Sequence, residues 1–187
     1  MQKTGYKIID GRLSGAKWCP SPNYNERGLG VSVDLLVIHN ISLPPAQFSN
    51  GYIEAFFQNR LPVDDHPYFA EISELTVSAH LLIARDGKAV QFVNFNDRAW
   101  HAGVSCFDGR ENCNDFSIGV EVEGTDDIPY TYQQYHTLAA ITHAFLKAYP
   151  TLDARSITGH SSIAPGRKTD PGESFNWPFF RQLLDKL

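Results

Sequence analysis

Cysteine is scarce in this sequence: Cys19, Cys106 and Cys113 are the three thiols among 187 residues. An odd, widely spaced set does not form the paired framework that stabilises small secreted proteins, and no C-x-x-C pair is present. A chain of this length also buries most of the surface that its unfolded form exposes, so it needs no covalent staple. We therefore expect reduced thiols in a reducing compartment.

Long apolar runs and excess positive charge are also absent. The first residues, MQKTGYKIID, lack the apolar centre of a signal peptide, and no run approaches the roughly 20 apolar residues of a membrane-spanning helix. The formal net charge of -5 gives no attraction to nucleic acid or to an anionic membrane. We expect a cytoplasmic monomer that binds a small soluble molecule, with neither nucleic acid nor a membrane as partner.

Apolar patterning predicts one domain over residues 1–187 in the α/β (α+β) class. The segment VSVDLLVIHN, residues 31–40, is apolar on both faces, which is typical of a buried strand. Two apolar runs flank Arg85-Asp86-Gly87-Lys88 and predict a β-hairpin, so the sheet is mixed. Further strands are expected over 116–123 and 156–159, and helices over 51–59, 131–149 and 175–187.

Two of the seven histidines occur inside predicted strands. His80 lies in an apolar strand, and a core histidine with satisfied hydrogen bonds is the simpler interpretation. His39 ends a buried strand, where sites on the rim of a sheet commonly lie. By itself this position leaves a structural and a functional role for His39 equally open.

A second candidate cluster is GHSSIAPGRKTDPG, residues 159–172, which has little helix or strand character. His160, Lys168 and Asp170 fall within it, and side chains two residues apart point the same way in an extended segment. The alternative is an exposed polar loop with a salt bridge. Two imidazoles and one carboxylate would suit a catalytic Zn²⁺, because three protein ligands leave the fourth tetrahedral position open.

The strand FSIGVEVE carries two carboxylates, Glu121 and Glu123, on the face opposite its apolar side chains. Mutual repulsion would raise the pKa of one of them if that face were buried. The alternative is a polar sheet face in contact with water.

Six segments, taken together, resemble the N-acetylmuramoyl-L-alanine amidase family, which shares the peptidoglycan-recognition-protein fold. They are VIHNISLPP, HPYFAEI, VSAHLLIARDGKAVQFV, RAWHAG, NDFSIGVEVEGTD and GHSSIAPGRKTDPG. RAWHAG and IGVEVEG are typical of the whole family. HNISLPP and GRKTDPG are similar to the subgroup that cleaves 1,6-anhydro-N-acetylmuramyl-L-alanine in cytoplasmic peptidoglycan recycling.

The resemblance implies a central mixed β-sheet flanked by helices, with one Zn²⁺ in a surface groove. It implies that the metal ligands are His39, His160 and Asp170. It implies catalytic roles for Glu121, as acid and base, and for Lys168, and substrate contacts from Asn40, Trp100 and His101. The implied substrate is a small anhydro-muropeptide.

Two positions depart from the family pattern. Thr76 and Asn112 stand where some members carry arginines that bind the carboxylates of the stem peptide. Two other functions stay open: a non-catalytic peptidoglycan-binding module, because a fold alone does not determine function, and an amidase that acts on polymeric cell wall.

Overall fold

A computed structural model describes residues 5–187, and its centre is a six-stranded sheet. The strands in chain order are β1 (Ile8–Ile9), β2 (Arg12–Leu13), β3 (Lys17–Trp18), β4 (Tyr24–Glu26), β5 (Leu35–Ile41), β6 (Leu81–Ile83), β7 (Ala89–Gln91), β8 (Asp97–Ala99), β9 (Cys106–Phe107), β10 (Arg110–Glu111), β11 (Ser117–Glu123) and β12 (Ile157–Gly159). The α-helices are α1 (Tyr52–Phe57), α2 (Pro67–Ile72), α3 (Tyr132–Ala148), α4 (His160–Ile163) and α5 (Trp177–Leu184). Three short 3₁₀ turns cover Val63–Asp65, Cys113–Asp115 and Ala154–Ser156.

The central sheet is mixed, as the sequence predicts. Its strand order is β12-β5-β11-β6-β7-β3. Strand β5 runs parallel to β11 and to β12, whereas β6 and β7 form the predicted antiparallel hairpin. Because β5, β11 and β12 are parallel neighbours, their carboxyl ends meet at one edge of the sheet.

Helices cover both faces of the sheet, so the predicted fold class is confirmed. Helices α3 and α5 pack on the face that carries Leu36, Ile38 and Val120. Helices α1 and α2 pack against Leu82 and Val90 on the other face. Helix α3 begins where the sequence predicts, because Thr131 and Gln134 form a capping box at its first turn.

The structure decides between the two interpretations of the carboxylate face of β11. All seven residues of this strand are buried, so the carboxylate side of the strand is not a wetted sheet face. Two details of the expected elements are corrected. Strand β5 begins at Leu35 rather than Val31, and residues 160–163 of the polar cluster form the short helix α4.

The three cysteines are free thiols, as expected. Cys19 and Cys113 are buried and Cys106 is exposed. Across residues 5–187, every helix is too short or too polar to cross a membrane.

His80 is a core histidine with satisfied hydrogen bonds, as the sequence indicates. It is fully buried, its Nδ1 accepts a hydrogen bond from the Gly119 N–H at 3.0 Å, and its Nε2 lies 3.0 Å from the Asp97 carbonyl oxygen. Burial, followed by the charge of Arg27, lowers the pKa of His80 to about 3. The folded protein therefore holds this imidazole neutral.

This buried imidazole predicts a pH dependence of stability. The unfolded chain binds a proton at His80 near pH 6.5 and the folded chain does not. Stability is therefore lost as pH falls from about 6.5 toward 3, at about 1.4 kcal/mol per pH unit for this group. We expect His80→Gln to reduce the slope by about that amount in urea unfolding of chelator-treated protein. His143→Gln, at a partly exposed position of α3, is the control, and an unchanged slope for His80→Gln would contradict the neutral imidazole.

Candidate active site

Three side chains converge at the carboxyl edge of β5. His39 lies in β5, His160 follows the adjacent strand β12 directly, and Asp170 follows the turns after α4. The Nδ1 atoms of His39 and His160 lie 3.0 Å apart, and each lies 3.0 Å from Oδ2 of Asp170. The structure thus brings together the three residues that the sequence resemblance implies as metal ligands.

This triangle could hold a metal ion, and its donor set suits zinc. Ligand atoms of a tetrahedral zinc site lie about 3.3 Å apart when the zinc–nitrogen distance is about 2.0 Å, so the observed triangle needs only a slight expansion. Two nitrogens and one oxygen leave a fourth position open, as catalytic rather than structural sites do.

The protonation states of His39 and Asp170 favour a cation. Burial lowers the pKa of His39 to about 4, so its imidazole is neutral at neutral pH. Burial raises the pKa of Asp170, but hydrogen bonds to His160 and His39 outweigh it, and the net pKa lies well below its ordinary value. A neutral imidazole and an ionised carboxylate both present lone pairs to a bound cation.

Each imidazole of the triangle has a partner for its other nitrogen. Nε2 of His160 lies 3.0 Å from the carbonyl oxygen of Ala102. A carbonyl only accepts, so when Nδ1 of His160 binds a cation the ring proton is on Nε2, where it donates to Ala102. Nε2 of His39 lies 2.9 Å from Nδ1 of His101, whose Nε2 lies 3.1 Å from the hydroxyl of Ser117.

Glu121 is a buried carboxyl beside the triangle. In the parallel register of β11 and β5 it stands opposite His39, and its Oε2 has no hydrogen-bond partner within residues 5–187. Burial and then the charge of Asp170 raise the pKa of Glu121 well above its ordinary value, and Lys168 partly offsets them. A proton acceptor with a raised pKa suits general base catalysis near neutral pH.

The source of this shift differs from the one expected from sequence. Mutual repulsion between Glu121 and Glu123 is the expected source, whereas burial and then the charge of Asp170 raise the pKa of Glu121. Glu123 instead accepts hydrogen bonds from the backbone N–H groups of Ser49 and Arg85, at 2.5 and 2.9 Å. It therefore joins β11 to two loops.

Lys168 is exposed and lines the same groove as the triangle. Its backbone N–H donates to the Ala164 carbonyl at 3.1 Å, which fixes the turn before Asp170. Its charge acts on the pKa of both His39 and Glu121, so the ammonium group is electrostatically coupled to the site.

The groove has a volume of about 680 Å³, within the usual range for small-molecule sites. One wall is apolar and is formed by Phe56, Phe57, Tyr68, Ile72, Leu75 and Val77. Asn40, Trp100 and His101 all line the groove, as the resemblance implies for substrate contacts. The amide of Asn40 donates to Asp126 at 2.7 Å, and the indole N–H of Trp100 donates to Asn25 at 2.7 Å.

Asp126 and Arg167 also line the groove, and neither is among the site residues predicted from the sequence. Asp126 follows the carboxyl end of β11, beside the end of β5, and this placement is the signal that could have found it. Arg167 precedes Lys168, and its guanidinium donates to the carbonyls of Ala102 and Val104 at 2.6 and 2.5 Å. Thr76 and Asn112, the positions that depart from the family pattern, are not among the described residues that line the groove.

Comparison with known proteins agrees with the fold. Residues 29–173 match the sequence model of the N-acetylmuramoyl-L-alanine amidase family. The chain is 54% identical, over 96% of its length and 97% of the relative's, to the 1,6-anhydro-N-acetylmuramyl-L-alanine amidase AmpD of Escherichia coli (strain K12).

Two solved structures show the same arrangement of the chain. The crystal structure of a selenomethionine AmpD derivative matches with a TM-score of 0.92 and 54% identity, covering 95% of this chain and 98% of that one. AmpDh3 from Pseudomonas aeruginosa, solved in complex with anhydromuramic pentapeptide, matches with a TM-score of 0.62 and 27% identity, covering 87% of this chain and 65% of that one. The resemblance drawn from the sequence motifs is thereby confirmed, and this chain belongs to the N-acetylmuramoyl-L-alanine amidase family.

Proposed function

We propose that this enzyme hydrolyses the amide bond between 1,6-anhydro-N-acetylmuramic acid and the L-alanine of a stem peptide, with a zinc ion held by His39, His160 and Asp170. The observation that carries the proposal is the 3.0 Å triangle of two imidazole nitrogens and one carboxylate oxygen beside a buried carboxyl. The substrate is taken from the relative that is 54% identical over nearly the whole chain.

Glu121 transfers protons and Lys168 stabilises charge in the proposed reaction. When bound, zinc polarises the scissile carbonyl and lowers the pKa of water at the site. Glu121 accepts a proton from the attacking water and later delivers one to the leaving amine. The water oxygen forms a bond to the carbonyl carbon, the carbon–nitrogen bond breaks, and the products are a lactyl carboxylate and an amine. Lys168 stabilises the negative charge that develops on the carbonyl oxygen.

Substrate binding is assigned to the walls of the groove. Asn40 and Trp100 are proposed to contact substrate, and the apolar wall suits the uncharged parts of a muropeptide. We further propose that the chain acts as a single-domain monomer in cytoplasmic peptidoglycan recycling. The net charge of -5 supports a small soluble substrate, because it disfavours docking on a polyanionic wall.

An assay on three substrates tests this function. Purified protein is expected to release peptide from anhydro-muropeptide, to lose that activity with a chelator, and to regain it with zinc. Slower cleavage of the non-anhydro counterpart and of intact sacculi is expected. If peptide were released from intact sacculi as fast as from anhydro-muropeptide, the substrate would be polymeric cell wall and not the proposed soluble molecule. Protein that binds no zinc and stays inactive after zinc is added would be a binding module.

Lys168→Ala is expected to lower kcat by about a hundredfold or more, because an ammonium group aimed at the developing oxyanion is lost. KM should change little, since the charge acts mainly in the transition state. Steady-state kinetics on anhydro-muropeptide checks this, with Lys147→Ala on the exposed surface of α3 as control. A raised KM with unchanged kcat would instead make Lys168 a substrate-binding residue.

A further inference from the structure

We propose that His101 is a positioning residue that holds His39 in the tautomer and orientation required for metal binding, with Ser117 as its anchor. This inference rests on the proposed metal site. It reassigns a residue for which the family resemblance implies a substrate contact.

Both ring nitrogens of His101 are used within the protein. Nδ1 lies 2.9 Å from Nε2 of His39, and Nε2 lies 3.1 Å from Oγ of Ser117. The rings of His39 and His101 meet edge to face, with an interplanar angle of 84°. No nitrogen of His101 is left to bind a substrate, although His101 lines the groove.

The direction of these hydrogen bonds follows from metal binding. A neutral His39 that presents its Nδ1 lone pair to a cation carries its proton on Nε2. Nε2–H of His39 therefore donates to Nδ1 of His101, and Nε2–H of His101 donates to the hydroxyl oxygen of Ser117. The reverse direction would place a proton on Nδ1 of His39 and block the ligand position.

The surroundings of His101 are shaped for this ring. A Cβ added at Gly119 would lie 2.4 Å from the His101 ring, so only glycine at this position of β11 lets the ring approach the strand. The side-chain oxygen of Asn114 accepts hydrogen bonds from the backbone N–H groups of His101 and Ala102, at 3.1 and 2.8 Å. Ring and backbone are thus both held in place.

The two metal-site histidines differ in what orients them. His160 is oriented by a backbone carbonyl, which no side-chain substitution removes. His39 is oriented by a side chain that can accept or donate, so its tautomer depends on the pair His101–Ser117. Substitution at position 101 therefore acts on zinc binding through His39 alone.

The test compares His101→Phe with His101→Asn. Phenylalanine keeps an aromatic ring and removes both nitrogens, whereas the asparagine carbonyl oxygen can replace Nδ1 as the acceptor for His39. We expect His101→Phe to weaken zinc binding about 10- to 100-fold in competition with a chelator, and His101→Asn to recover most of that loss. Ser117→Ala, which removes only a hydroxyl, should show a smaller loss, and His143→Phe serves as a control outside the groove.

Two further measurements separate positioning from substrate contact and from a folding defect. In zinc-loaded wild-type protein, ¹⁵N NMR should report His39 with its proton on Nε2, and this signal should be shifted or lost in His101→Phe. Kinetics at saturating zinc should show a lowered kcat with little change in KM.

Wild-type zinc affinity in His101→Phe, with a raised KM, would overturn the positioning role and make His101 a substrate contact. Failure of the wild-type protein itself to bind zinc would overturn the metal site, and with it this inference. If His101→Phe does not fold, His101→Ala takes its place as the variant without ring nitrogens, and wild-type zinc affinity with an unchanged His39 signal in His101→Ala would overturn the role.

Discussion

Glu121→Gln is expected to lower kcat for amide hydrolysis by roughly a hundred- to ten-thousandfold while leaving zinc content unchanged. Glutamine keeps the shape of the side chain but cannot accept a proton from water or return it to the amine. Because burial raises the pKa of Glu121, a charged carboxylate here opposes folding above its unfolded-state pKa of about 4.5. The same substitution should therefore raise the free energy of unfolding of metal-free protein at pH 7.

Glu123→Gln is the matched control, two residues along the same strand. Glu123 is also buried, but it bonds backbone N–H groups of two loops and does not line the groove. We expect this variant to lose stability in urea unfolding and to keep its kcat. If Glu123→Gln lowered kcat and Glu121→Gln kept it, the acid and base would be Glu123 and not Glu121. Unchanged turnover in zinc-loaded Glu121→Gln would remove Glu121 from the mechanism.

Asp170→Asn should abolish zinc binding at micromolar metal and lower activity by roughly a thousandfold or more, because Lewis-acid stabilisation is worth several kcal/mol in such reactions. The amide retains the size of the carboxylate but loses its charge. In the wild-type protein the pKa of Asp170 is held low despite burial, so its negative charge is present throughout the neutral range.

Asp170→Cys is the informative partner of this variant, because a thiolate is also a good zinc ligand. We expect it to keep stoichiometric zinc in elemental analysis, whereas Asp170→Asn does not. Asp153→Asn, at a partly exposed carboxylate outside the groove, is the control. Full zinc content in Asp170→Asn would show that the metal binds elsewhere.

The candidate site was only partly visible in the sequence. His160 and Asp170 share one polar segment, so their proximity could be inferred from spacing. His39 is 121 positions from His160, and no local pattern links them. The family motifs supplied that link, and the parallel pairing of β5 with β12 gives its physical reason. No sequence pattern indicates that Asp126 and Arg167 line the groove, because polar residues in loops carry no periodic signal.

The sequence by itself determined the elements of this protein, because hydrophobic periodicity and capping act over short stretches of chain. The hairpin at Asp86-Gly87, the cap at Thr131 and the buried character of β5 are examples. Only the tertiary structure decided what each polar group meets. Strand order placed Glu121 opposite His39 and buried both faces of β11. Burial and then the charge of Asp170 raise the pKa of Glu121, whereas the sequence indicates only repulsion from Glu123. The His101 ring packs against Gly119 and contacts His39 and Ser117. The sequence could not show these contacts, because hydrogen-bond partners depend on which strands lie side by side and not on spacing along the chain.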